Sequence, residues 1–364
     1  VLKGQTRILI AAGGTGGHVF PALAIADEIK KLNSSTEFLF VGTKGKIEAR
    51  LVPQRGYSLA YVWISGFHRS MRAENFLFPL KVVVSLFQSF FLIKQFSPDV
   101  VVGTGGYVCG PVLYAASLLN LPIIVHESNS FPGVTTRLLS TRAVKIFTAF
   151  DATTQWLKRK NNIECVGTPT RDILGMVTRE EGIRFFNLDP AKRTVLVVGG
   201  SLGAVSINLA IKAIVQELID SGIQLIWQTG KSDESLMKDT KILKHCRISV
   251  FIEHMEYAYA AADIVVCRAG ATTLAELTRL GKASVLVPYP HAAADHQTYN
   301  AQTLVNAGSA VMVADRDLKN TLKNVLLDVL HDHRKLEHMS DASMSMGKPN
   351  AGSEIAMKIL QLVR

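Results

Sequence analysis

The chain has 364 residues, 48% hydrophobic and 19% charged, which suffices for two buried cores and excludes a disordered polymer. Forty Lys and Arg against thirty Asp and Glu leave a net charge of +10, which should attract an anion (nucleic acid, acidic lipid headgroups or a phosphorylated small molecule) unless it serves solubility alone. Cys109, Cys165, Cys246 and Cys267 lie far apart with no C-x-x-C pair, which disfavours a disulfide framework or zinc site and fits reduced cytosolic thiols.

The apolar run Arg7-Ile8-Leu9-Ile10-Ala11-Ala12 reads as a buried parallel strand, and residues 22–29 read as a helix. Between them, Gly13-Gly14-Thr15-Gly16-Gly17-His18 is a strand-to-helix turn, where close backbone approach and the helix dipole favour an anion. A dinucleotide site is disfavoured. The third glycine of G-x-G-x-x-G would fall at Val19, and the second strand, 37–41, runs into Gly42-Thr43-Lys44 without the acidic residue that holds a ribose. No secretory signal is read, because the first apolar run leads directly into the turn.

A short helix at 46–52 and a strand near 59–63 follow. The loop with Arg69 and Arg72 then leads into a helix from about 76 to 95 that is apolar nearly all round. It falls short of the roughly 20 unbroken apolar residues of a membrane span. Two readings stay open: a helix buried between sheet and loops, or a greasy patch flanked by Arg69, Arg72 and Lys81 that sits in a membrane interface. Strand 98–103 ends in a second glycine turn, Gly103-Thr104-Gly105-Gly106-Tyr107. A helix covers 111–119, and strand 122–125 delivers His126-Glu127-Ser128-Asn129 to its carboxyl end, where open α/β sheets bind ligands. Strands at 145–148 and 163–166 close this half, and 167–171 reads as a linker.

The pattern then repeats: strand 194–198, glycine turn Gly199-Gly200-Ser201-Leu202-Gly203-Ala204 and helix 207–218. Further strands are expected at 223–228, 248–252, 264–267 and 283–287, with an amphipathic tail helix at 353–363 able to return to the first domain. The fold class is therefore α/β with two doubly wound domains. After the 264–267 strand, Arg268-Ala269-Gly270-Ala271-Thr272-Thr273-Leu274-Ala275-Glu276 opens a helix whose N–H groups suit a phosphate. Thr273-x-x-Glu276 matches a capping box, which would explain Glu276 without a ligand; alternatively its two oxygens would accept the 2′ and 3′ hydroxyls of a ribose. The loop carrying His296 and Gln297 lies on the same sheet edge. His331-Asp332-His333 reads as a solvated face rather than a metal site. No P-loop, nucleophile elbow or ribonucleoprotein motif is present, which disfavours a nucleoside triphosphatase, a serine hydrolase and nucleic acid as a partner.

Taken together, GGTGGHVFPALAIA at 13–26, GTGGY at 103–107, HESN at 126–129, GGSLGA at 199–204 and CRAGATTLAE followed by PHAAADHQTYNA between 267 and 301 resemble the MurG family. These are bacterial transferases that add N-acetylglucosamine (GlcNAc) to lipid I in peptidoglycan synthesis. The resemblance runs over nearly the whole chain, in order. It implies a GT-B fold, two Rossmann-like domains facing across a cleft: 1–168 with 341–364 on the acceptor side, and 169–340 holding UDP-GlcNAc. It implies no cofactor or metal, and an inverting reaction.

By motif position it implies uracil at the Ile252 backbone near Met255, the ribose at Glu276, and the diphosphate at Ser201, Arg268 and the helix start Ala271, Thr272, Thr273, Leu274 and Ala275, with Arg171 nearby. Gln297 and His296 would read the sugar. Thr15, Gly16, Gly17, His18 and Asn129 would line the reaction centre, Tyr107 and Glu127 would lie on the acceptor side, and His18 is the candidate base with Glu127 next. Departures occur at Leu202 and Ser128, where members often carry Gln, and at Ala269, where some carry Ser. The implied partners are lipid I, an anionic membrane surface at the 76–93 helix, and other cell-wall synthesis proteins; the implied location is the cytoplasmic face of the plasma membrane, peripherally bound. Two alternatives stay open: a related enzyme with a soluble substrate, such as a UDP-GlcNAc 2-epimerase, and a non-catalytic nucleotide-sugar sensor.

Overall fold

The computed structural model describes residues 5–66, 76–200, 202–231 and 245–363, so Arg69, Arg72 and Ser201 lie outside the described residues. Its contacts divide the chain into two units, Val1–Thr170 with Pro349–Arg364, and Arg171–Lys348.

The first unit runs β1 (Arg7–Ala12), α1 (Gly16–Leu32), β2 (Glu37–Gly42), α2 (Glu48–Gln54), β3 (Ser58–Tyr61), α3 (Phe78–Phe96), β4 (Val100–Gly105), α4 (Cys109–Leu118), β5 (Ile123–Glu127), α5 (Val134–Leu139), β6 (Lys145–Thr148) and β7 (Ile163–Cys165). Its strands form a parallel sheet ordered β3-β2-β1-β4-β5-β6-β7. Alternation along β1 explains its unbroken apolar run. Ile8 and Ile10 pack with Ile25 and Ile29 of α1 on one face, and Leu9 and Ala11 pack with Val112 and Leu113 of α4 on the other.

The second unit runs α6 (Arg179–Phe185), β8 (Arg193–Val198), α7 (Val205–Asp220), β9 (Ile223–Gln228), β10 (Cys246–Ser249), α8 (Met255–Ala261), β11 (Ile264–Cys267), α9 (Ala271–Arg279), β12 (Ala283–Leu286), α10 (His296–Asn306), β13 (Ala310–Met312), α11 (Leu318–His331) and α12 (His333–Ser345). Its parallel sheet is ordered β10-β9-β8-β11-β12-β13. Trp227, Ile207, Ile211, Val266 and Leu322 share its core. β10 lies earlier than the expected 248–252, because it pairs in register with β9, which ends at Gln228 opposite Ser249.

The last element, α13 (Ala351–Leu362), packs against α1. Ile355, Ala356 and Ile359 join Ile25 and Ile29 in one core, and Lys358 pairs with Glu164 of β7, which also pairs with Lys145 at 2.7 Å.

An all-round apolar sequence gives α3 no direction; its packing does. The buried residues are Ser85, Ser89 and Ile93, on the side toward α4, and both serine hydroxyls donate within the helix, to Val82 O and Ser85 O. Small side chains allow the close approach. Leu86, Phe90, Leu92 and Phe96 pack partly against the same core, while Phe87, 74% exposed, and Phe91, 73%, turn outward. The reading as a helix buried between sheet and loops is thereby excluded.

Candidate active site

In the first unit the strand order reverses between β1 and β4, and the chain leaves each strand through a glycine turn. Two turns thus meet at the sheet edge where ligands of such folds bind. They are in close contact. A Cβ at Gly106, whose φ is +88°, would fall 2.2 Å from Gly13 O, and one at Gly105, φ +115°, would fall 2.3 Å from His18 Nδ1. The β1–β4 pairing sets Ala11 opposite Gly103 and Ala12 opposite Gly105. The skipped Thr104 donates from Oγ1 to His18 O at 2.8 Å, and His18 Nδ1 lies 3.2 Å from Thr104 O. A carbonyl has no proton to give, so Nδ1 carries a hydrogen, and the neutral form of the ring has its lone pair at Nε2.

Thr15 is the N-cap of α1 without a side-chain cap bond, and Gly16 and Gly17 open the helix. Tyr107 is exposed, its ring lying against Gly66. Glu127 behaves differently from a base in waiting. It is buried, with Oε1 accepting from Asn129 N (3.0 Å) and Nδ2 (3.2 Å), and Oε2 from Gly133 N (3.0 Å) and Thr136 Oγ1 (2.7 Å). Four donors fill its lone-pair sites, so it shapes the loop that presents Asn129. His126 is also internal: its Nε2 pairs with Gly167 O at 3.0 Å, and burial pushes its pKa down.

The second unit repeats the plan. Its order reverses between β8 and β11, followed by the 199–204 turn and the start of α9. The capping-box reading of Glu276 is corrected here. The N-cap of α9 is Gly270, so Thr273 lies inside the helix. Glu276 is buried and held from two sides: Arg171 Nε and Nη2 donate to Oε1 at 3.2 and 3.1 Å, and Tyr259 OH donates to Oε2 at 2.9 Å. Burial, then the Glu276 charge, hold the Tyr259 phenol well above its ordinary pKa, so it stays a donor. A capping box is present at α6, Thr178 with Glu181.

Arg268 does not stand ready for an anion. It donates to Asp315, to Val287 O and Pro288 O, and to Ser206 Oγ at 2.9 Å, and its guanidinium lies 5.5 Å from the Tyr289 ring centroid. It fixes the 287–289 segment instead. In α9, Ala271 and Leu274 are buried and the Leu274 N–H bonds Gly270 O, so Leu274 presents no polar group; Thr273 and Ala275 are half-buried. Thr272 Oγ1 is buried with no hydrogen-bond partner. The Ile252 N–H, expected beside uracil, is taken by Gln228 Oε1 at 2.9 Å, while Gln228 Nε2 donates to Gly200 O at 3.0 Å. Met255 opens α8, half-buried. Gln297 Oε1 accepts from Tyr289 N and His296 Nδ1 donates to Ala293 O, behind the left-handed pair Ala294 and Asp295.

Gln228 and Tyr259 escaped the sequence reading. Gln228 had a signal, a polar residue ending an apolar strand; Tyr259, in a helix, had none. Among the described residues no three His, Cys, Asp or Glu side chains converge as a metal site would require.

Residues 8–148 match the glycosyltransferase family 28 N-terminal domain and 194–355 its C-terminal domain. The chain is 40% identical over 361 residues to a Flavobacterium psychrophilum protein named UDP-N-acetylglucosamine–N-acetylmuramyl-(pentapeptide) pyrophosphoryl-undecaprenol N-acetylglucosamine transferase, covering 99% of this chain and 98% of that one. A Salinibacter ruber protein of the same name is 41% identical, covering 98% and 96%. The solved Acinetobacter baumannii MurG superimposes with a TM-score of 0.79 at 29% identity, covering 98% and 99%. With both domains in order and full-length relatives at this identity, the chain belongs to glycosyltransferase family 28, in its MurG group.

Proposed function

We propose that this protein transfers N-acetylglucosamine from UDP-GlcNAc to the C4 hydroxyl of the muramoyl sugar of lipid I, making lipid II. The full-length match to transferases of that name carries the reading. The acceptor oxygen attacks C1 of the sugar from the face opposite UDP. The C1–O bond to the diphosphate breaks, its electron pair leaves with UDP, and the new bond is β-1,4. The acceptor proton goes to His18 Nε2, the position its Nδ1 bond leaves basic.

On the donor side, Arg171 fills Oε1 of Glu276 and Tyr259 one site of Oε2, and the site left on Oε2 accepts a ribose hydroxyl. Arg171 and Arg268 are each paired with a carboxylate. Stabilisation of the departing diphosphate therefore rests on the starts of α7 and α9 and on Ser201, a preorganised effect that we propose works without a metal. Gln297 and His296 would read the sugar.

α3 supports a peripheral seat on the cytoplasmic face of the membrane, where the acceptor's lipid chain is embedded. By length and composition it could also cross a membrane, but its serine face packs on α4, which favours lying in the interface. Incubation with UDP-GlcNAc and a short-chain lipid I analogue tests the reaction: a β-1,4-linked disaccharide product is expected, and donor binding without that product would overturn the reading in favour of a sensor.

A further inference from the structure

The first glycine turn is built like an anion cradle, and the anion already there belongs to the chain. Glu48, the first residue of α2, is 0% exposed. Its Oε2 accepts from Gly14 N at 3.0 Å, inside the turn, and its Oε1 accepts from Thr43 N at 3.0 Å and Thr43 Oγ1 at 2.7 Å, at the end of β2. Two glycines make room for it. A Cβ at Gly13 would fall 2.7 Å from Oε1, and one at Gly42 would fall 2.6 Å from Cγ. The Gly13-Gly14 segment is thus held from two sides, by the Glu48 carboxylate and by Gly106, which packs on Gly13 O. Thr15 and the first turn of α1, with His18, follow directly.

We propose that Glu48 is a positioning residue for the transfer reaction: a built-in carboxylate that sets the first glycine turn, and through it the placement of His18. This rests on the functional reading above. A buried carboxylate is retained at such a place only when its hydrogen bonds are made, and here each bond goes to backbone or hydroxyl at the edge of the site. Glutamine cannot replace it. An amide has one acceptor oxygen, so its NH2 must face either the Gly14 N–H or the Thr43 N–H, and one donor is left opposite another.

The test separates positioning from mere folding, because the donor groups lie in the second unit. In Glu48→Gln, kcat with saturating lipid I analogue should fall on the order of 10- to 100-fold, the loss that a misplacement of about 1 Å brings. The Kd for UDP-GlcNAc by calorimetry should stay within about twofold, the scatter expected for groups that share no partner with Glu48. A double-mutant cycle adds a second readout. Gly13→Ala should lower kcat alone, and by less in a Glu48→Ala background, where the space is open. Unchanged kcat in Glu48→Gln would overturn the proposal. So would a parallel loss of donor affinity and melting temperature, which would mark Glu48 as structural only. Absence of transfer by the unsubstituted protein would overturn the functional reading itself, and is seen before any variant is made.

Discussion

His18 and Thr104 are joined twice, in opposite directions: the Thr104 hydroxyl donates to the His18 carbonyl at 2.8 Å, and the His18 Nδ1–H points to the Thr104 carbonyl at 3.2 Å. Backbone and ring are both held, so the ring is positioned before any acceptor arrives. We expect His18→Ala to lower kcat by about 10²- to 10⁴-fold, the range for a positioned base, with UDP-GlcNAc affinity unchanged. Turnover within a few-fold of the unsubstituted protein would remove His18 as the base. Glu127, with its four donors, would be a poor replacement.

Glu276 should govern donor affinity. Glu276→Ala removes the acceptor proposed for the ribose and leaves Arg171 and Tyr259 unpaired. Hydrogen bonds to charged groups contribute about 1.5–3 kcal/mol, so the Kd for UDP-GlcNAc should rise roughly 10- to 100-fold. Tyr259→Phe keeps the carboxylate and should have a smaller effect in the same direction. Calorimetric titration checks both, and an unchanged Kd in Glu276→Ala would place the ribose elsewhere.

Gln228 links the two loops assigned to the nucleotide, through Ile252 N and Gly200 O. Gln228→Ala releases both at once. At about 0.5–1.5 kcal/mol per neutral bond, the two together make donor affinity fall roughly 5- to 100-fold while kcat at saturating donor stays near its original value. A fall in kcat without loss of affinity would contradict this placement.

The outward face of α3 should bind lipid. Burial of one phenylalanine side chain stabilises by roughly 1.5–3 kcal/mol, so Phe87→Ser with Phe91→Ser should reduce vesicle partitioning by at least about tenfold. Anionic vesicles at low salt should be preferred over neutral ones. Equal binding to both, or no change in the double variant, would exclude α3 as the docking element.

Acid should destabilise the fold in two stages. Burial holds His126 below its ordinary pKa of 6.5, so below that pH the unfolded chain takes up a proton that the folded one refuses, and stability falls. Lys145 and Lys358 hold Glu164 below its ordinary 4.5, and that contribution, present above 4.5, is lost as the pH falls further. Urea midpoints should therefore decline from about pH 7 to about pH 5, with a shallower slope in His126→Gln. An unchanged slope in that variant would exclude His126 as the source.

Local pattern carried much of this architecture. The alternation of apolar strands and glycine turns announces two doubly wound sheets, and both switch points lie where the glycine turns stand. What pattern could not show is which polar groups meet across long sequence distances. Glu48 reaches Gly14 across 34 residues, Arg171 reaches Glu276 across 105, and Asp315 reaches Arg268 across 47. A three-residue spacing made Thr273 and Glu276 look like a cap, but the helix starts at Ala271, set by the end of β11 rather than by the threonine. In α3 two serines, Ser85 and Ser89, are buried with Ile93 on the packed face, which an all-round apolar sequence does not single out.

The transfer itself is tested most directly by UDP release from UDP-GlcNAc, with and without a short-chain lipid I analogue, in EDTA. Acceptor-dependent release with formation of the disaccharide is the expected result. Release that ignores the acceptor, or no release despite bound donor, would contradict the account.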